Sequence, residues 1–151
     1  GKNIDGKPSK KKIADALRVS QASEFVSKLE DGEKSHIAQG GTNISGGQKQ
    51  RLSIARTIAR NPEIYIFDDS FSALDYKTDS TLRRELREYT KDATVMIVAQ
   101  RIGTILNADK IVVLDNGKCV GVGTHNELMK KCKVYKEIAL SQVSKEELEN
   151  V

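Results

Sequence analysis

The chain has no tryptophan, two prolines, two cysteines and two methionines in 151 residues, and aromatic residues make up only 5% of it. So few aromatics leave no stacking platform for single-stranded nucleic acid, and the Lys10-Lys11-Lys12 run has none beside it. A net charge of +4 reads as a solvated lysine-rich surface, and no nucleic-acid partner is expected. Cys119 and Cys132 lack metal-ligand spacing and suit free thiols in a reducing compartment. No apolar run approaches the ~18 residues of a membrane-spanning helix, and no signal peptide opens the chain.

A usable phosphate loop is missing as well. Gly1-Lys2-Asn3-Ile4-Asp5-Gly6-Lys7 spells Gly-x4-Gly-Lys. Such a loop works between a strand and a helix N-terminus, where backbone N–H groups converge on phosphate. The position that needs a hydroxyl for magnesium holds Pro8, which also removes a backbone donor. Residues 1–9 therefore read as a loop.

What is present is ordinary globular material, 38% hydrophobic and 30% charged, enough for one domain or a large piece of a bigger one. Between Lys11 and Leu29 the apolar positions predict two short helices broken near Ser20–Ser23, the second stopped at Asp31-Gly32. After a polar loop, Ser45 reads as an N-cap with Gln48 in capping-box position. The helix that follows carries Leu52, Ala55, Ile58 and Ala59 on one face and ends at Asn61-Pro62. Ile64–Phe67 is a continuous apolar run, as in a strand buried on both faces of a parallel sheet. A helix from Asp75 with a Leu82, Leu86, Tyr89 stripe follows, then a strand over Ala93–Ala99 with Met96 in the core. A hairpin then joins Lys110–Leu114 to Lys118–Val122 through Asn116-Gly117. A last helix runs loosely from Asn126 to Leu140, with a charged tail from Ser141 that frays. Cys119 and His125 read as structural.

Two segments carry chemistry. Ser45-Gly46-Gly47 opens a basic helix whose first N–H groups lack partners and whose dipole adds positive potential. Paired glycines let an anion approach the backbone, although a capped helix that binds nothing has the same local form. Asp68-Asp69 puts two carboxylates at a strand end, suited to magnesium and water.

The longer string Ile44-Ser45-Gly46-Gly47-Gln48-Lys49-Gln50-Arg51 resembles the signature motif of the ABC ATPases. Ile64–Asp68 resembles their Walker B strand, Ser72-Ala73-Leu74-Asp75 their D-loop, and Val98-Ala99-Gln100-Arg101 their switch segment. The stretches Asn107–Ile111 and Gly123–Leu128 resemble the C-terminal part of the exporter branch. The resemblance covers nearly the whole chain. It implies an α/β fold: a partial P-loop NTPase core, mostly parallel sheet with a C-terminal hairpin, preceded by an α-helical subdomain. The division expected is residues 1–61 for the helical subdomain and 62–151 for the later part of the core. Walker A, the Q-loop and the transmembrane helices are expected to lie before Gly1, and Val151 at or near the natural C-terminus.

It further implies ATP and Mg2+ as ligands and a second nucleotide-binding domain as partner, paired head to tail. A transmembrane domain would precede the chain, at the cytoplasmic face of the cell membrane. On this reading Ser45, Gly46 and Gly47 bind the partner's γ-phosphate, Gln48 supports that turn, and Asp75 orders the dimer interface or merely caps its helix. Asp68 holds magnesium, Asp69 positions water and Gln100 contacts the γ-phosphate. Two positions depart from the family pattern: Asp69 stands for the usual glutamate and Gln100 for the switch histidine. Gln39 stands where glutamate is usual. Together Asp69 and Gln100 resemble the degenerate member of a heterodimeric exporter. The alternatives are the first nucleotide-binding domain of a full-length multidrug-resistance-associated-type exporter and a non-transport ABC ATPase. The intact parent is expected to hydrolyse ATP and the isolated chain to be inactive.

Overall fold

The structure, a computed structural model, describes residues 9–149, with side chains as far as Gln142. The Gly1–Lys7 motif, Pro8 and Val151 lie outside the described residues. The architecture is mixed α/β and divides into two compact units, one through Val98 and one from Ala99. Helices before Pro62 and strands after it share one core.

In the first unit, α1 (Lys10–Val19) and α2 (Ser23–Ser27) are the two short helices predicted. Gln21 breaks them with a φ of 56°. That corner is held by the signature helix α3 (Gly46–Arg60). Arg51 Nη1 donates to the Gln21 carbonyl at 2.8 Å, and the guanidinium lies 4.8 Å over the Phe25 ring. The α3 helix ends where Asn61 turns left-handed and Pro62 cannot continue it. Its buried arc is Ile54, Ala55 and Ile58, with Leu52 and Ala59 only partly covered.

Strand β1 (Ile64–Asp68) pairs in parallel with β2 (Thr94–Val98), in register from Ile64↔Thr94 to Asp68↔Val98. Helix α4 (Tyr76–Tyr89) makes the crossover and buries Leu82 and Leu86. The pleat sends Tyr65 and Phe67 into the core at 1% and 2% exposure and leaves Ile66 63% exposed. The expectation of a strand buried on both faces is corrected here: among the described residues only one face of the pair is covered. Met96, expected in the core, shares the open face and is 56% exposed.

The second unit holds α5 (Ile102–Ile105), the strands β3 (Ile111–Asp115) and β4 (Lys118–Gly123), and the helices α6 (His125–Lys131) and α7 (Lys133–Glu149). The predicted hairpin is present. Asn116 and Gly117 both have positive φ, 48° and 74°, which is the backbone twist a two-residue turn between β-strands requires. Ile111, Val113, Leu128, Cys132 and Tyr135 form its core. A capping box opens α6: Thr124 N donates to Glu127 Oε2 at 2.8 Å, and that bond holds the Glu127 carboxyl below its usual range. His125 Nδ1 lies 2.9 Å from Tyr135 Oη, which fits the structural role expected of it. The single loose helix expected here is two helices, parted where Cys132 is extended. The chain from Ser141, expected to fray, continues α7 to Glu149, and its Ser-Lys-Glu-Glu-Leu-Glu composition favours helix. No described helix is long and apolar enough to cross a membrane.

Candidate functional site

The Ser45 turn has the form the sequence predicts. Ser45 is extended, Gln48 N donates to Ser45 Oγ at 3.2 Å, and Ser45 N donates to Gln48 Oε1 at 2.9 Å. Gln48 is thus committed to the cap. The amides of Gly46 and Gly47, in the first turn, have no intrahelical acceptor and point at the dipole's positive end. Gly47 has a second reason to be glycine: a Cβ there would sit 3.0 Å from the Ala73 carbonyl oxygen, whereas one at Gly46 would meet nothing closer than 3.9 Å. The turn therefore packs on the 69–75 loop.

Asp68 closes β1 beside Val98, and Asp69 steps out with a left-handed φ of 47°, its N–H donating to the Val98 carbonyl at 3.2 Å. Both carboxylates are exposed. Aspartate tolerates the left-handed region better than longer side chains do, so the residue type suits the backbone found here. Asp75 caps α4, accepting from Thr78 N at 2.9 Å, and that backbone bond holds its carboxyl below the usual range. The capping alternative for Asp75 is what the structure displays.

One residue that sequence reasoning missed joins these parts. Gln50 Nε2 donates to the Asp69 carbonyl at 3.2 Å and to Ser72 Oγ at 3.1 Å, while Gln50 Oε1 accepts from Ala73 N at 2.9 Å. Ser72 Oγ donates in turn to the Asp69 carbonyl at 3.1 Å. The signal was available: Gln50 lies four residues after Gly46, hence on the same helix face, and an amide side chain can satisfy both donors and acceptors of an irregular loop. Upstream, Asn43 ties the loop that carries Gln39, accepting from Ala38 N and donating to the His36 carbonyl, each at 3.0 Å.

Ser45, Gly46, Gly47, Gln48, Asp68, Asp69 and Asp75 thus belong to one unit. Gln100 belongs to the other, where its carbonyl accepts from Gln142 Nε2 at 2.7 Å. Among the described residues no three His, Cys, Asp or Glu side chains gather as a metal cluster. A divalent ion at Asp68 would therefore draw most of its ligands from water and phosphate oxygens, the usual habit of magnesium. The donors present fit a nucleotide's phosphates with their magnesium.

Residues 5–72 match the family described as ABC transporter. Over most of its length the chain is similar to parts of ABC transporter ATP-binding proteins and of an ABC exporter. It is 52% identical over 128 residues to an uncharacterized ABC transporter ATP-binding protein of Mycobacterium tuberculosis, covering 85% of this chain and 22% of that protein. It is 42% identical over 127 residues to the ATP-dependent lipid A-core flippase of Francisella tularensis, covering 84% and 21%. Its fold superposes on a bacterial Atm1-family ABC exporter with ATP bound at a TM-score of 0.85, with 32% identity, over 89% of this chain and 24% of the exporter's. The chain thus spans about a fifth of the length of the curated relatives it matches.

Proposed function

We propose that this ABC exporter sequence works in a pair of nucleotide-binding domains, with residues 1–61 as the helical signature subdomain and 62–151 as the later part of the ATPase core. The pair sits at the cytoplasmic face of a membrane, attached to a transmembrane domain, and powers export. Ser45, Gly46 and Gly47 serve the γ-phosphate of an ATP held by the partner domain, and Gln48 keeps that turn in shape. The observation that carries this reading is the intact capping box of the turn, which leaves the Gly46 and Gly47 amides free of helical acceptors.

The chain's own site is weaker. Asp68 would hold the magnesium, and the bound ion would offset charge on the phosphates. Asp69 orients the attacking water with a carboxylate one methylene shorter than glutamate, and a displacement of ~1 Å costs on the order of a hundredfold in rate. Gln100 can donate a hydrogen bond to the γ-phosphate but cannot carry positive charge. Asp75 caps α4 and, through the fixed start of that helix, orders the surface facing the partner. The reading is of a degenerate member of a heterodimeric exporter, whose productive hydrolysis takes place where this chain lends its signature turn.

The test is made in the full-length transporter with an intact partner signature. Asp69→Glu combined with Gln100→His is expected to raise turnover at this chain's own site by tenfold or more on the scale of such positioning effects, roughly. Unchanged single-site turnover would overturn the degenerate-site reading. The 151-residue chain alone is expected to bind MgATP too weakly to saturate at micromolar nucleotide, and micromolar binding in a titration would refute that.

A further inference from the structure

The segment around Gln100 takes two hydrogen bonds from a helix distant in sequence. Helix α5 spans only Ile102–Ile105, and its N-cap Arg101 makes no side-chain cap bond. One turn of helix is unstable unless something outside it satisfies its first amides. That role falls to Gln142 on α7, half-buried and 40 residues away in sequence. Gln142 Oε1 accepts from Ile102 N at 2.7 Å, and Gln142 Nε2 donates to the Gln100 carbonyl at 2.7 Å. The two bonds straddle Arg101. They fix the peptide planes on either side of it and so the direction in which the Gln100 Cα–Cβ bond leaves the backbone.

We propose that Gln142 is a positioning residue for the switch segment Gln100–Ile102, so that α7 sets where Gln100 stands. The functional half of this claim rests on the reading of Gln100 as a phosphate contact; the clamp itself does not. A terminal amide carries a donor and an acceptor on two separate atoms, so it can donate to a carbonyl and accept from an N–H on either side of one residue. Gln142→Met keeps the length and packing of the stem and removes both bonds. Gln142→Ala removes the packing too.

Amide hydrogen exchange in this chain tests the clamp. In Gln142→Met the Ile102 amide is expected to exchange about threefold to tenfold faster, the range for losing one net hydrogen bond, while amides of β3 and β4 stay unchanged. Unaltered exchange at Ile102, or acceleration spread equally over the whole unit, would overturn it. Single-site turnover at this chain's own ATP site in the full-length transporter tests the functional half. Gln142→Met should lower turnover in the parent and have no further effect in a Gln100→Ala background. Additive losses would show that Gln142 does not act through Gln100. If Gln100→Ala leaves turnover untouched while Ile102 exchange rises, the phosphate-contact reading fails and the clamp stands.

Discussion

Gln50 and Ala73 are joined by a hydrogen bond from the Ala73 amide to Gln50 Oε1 at 2.9 Å, which ties the signature helix to the loop after the acidic strand end. Because the same side chain donates to the Asp69 carbonyl and to Ser72 Oγ, it bonds three polar groups of the segment that follows β1. Gln50→Ala is expected to cost about 1–3 kcal/mol in urea unfolding, since the Ala73 amide loses this acceptor and the Asp69 carbonyl keeps only the Ser72 hydroxyl. Gln50→Glu retains the acceptor for Ala73 but sets a carboxylate against the Asp69 carbonyl, and should cost at least as much. A loss within experimental error for both variants would show that water replaces Gln50 without penalty.

The two glycines of the signature turn are not equivalent. A methyl at position 47 meets the Ala73 carbonyl oxygen at 3.0 Å, a backbone atom that cannot swing aside, whereas one at position 46 finds only ordinary contact with Ala73 Cβ. Gly47→Ala is expected to destabilise the chain by about 1–3 kcal/mol, as overpacking does, and Gly46→Ala to be within about 0.5 kcal/mol of the parent. Chemical denaturation of the two variants side by side distinguishes this from a purely anion-binding reason for both glycines, which predicts equal and small effects.

Asp75 supplies a pH dependence of definite sign. The Thr78 amide holds its folded carboxyl below the ordinary value of 3.8, so the unfolded chain binds the proton more readily. The cap's contribution is fully present above that value and is lost as pH falls through the lower folded value. Asp75→Asn keeps a capping oxygen without the titration. Its melting temperature relative to the parent should therefore improve as pH drops from neutral to below the ordinary carboxylate value, and a constant difference across that window would contradict the linkage.

The sequence made much of this fold legible. The Ser45–Gln48 spacing became a capping box, and Asn116-Gly117 became the hairpin turn. These are local devices whose partners lie within a few residues. The centre of α3 was less legible: beside its buried arc of Ile54, Ala55 and Ile58 stands half-buried Arg51, whose charge hides its packing role although the group lies over Phe25 and bonds to the Gln21 carbonyl. Gln50 and Gln142 gave less signal still, because each bonds backbone groups 19 to 42 residues away. No spacing rule connects a helix amide with a distant irregular segment.

The open face of the first unit's sheet has its own consequence. Ile64 and Ile66 from β1 stand beside Met96 and Val98 from β2 on one side of a parallel pair, all more than half exposed. Apolar side chains adjacent on one pleated face attract another such face, and each large one removed from water contributes roughly 1.5–3 kcal/mol. The 151-residue chain is therefore expected to self-associate with rising concentration in sedimentation velocity. Ile66→Thr with Met96→Thr keeps strand-compatible residues at both positions and should shift the distribution toward monomer, because the substituted side chains lie away from the Tyr65 and Phe67 core. A distribution unchanged by the double substitution would place the association elsewhere on the chain.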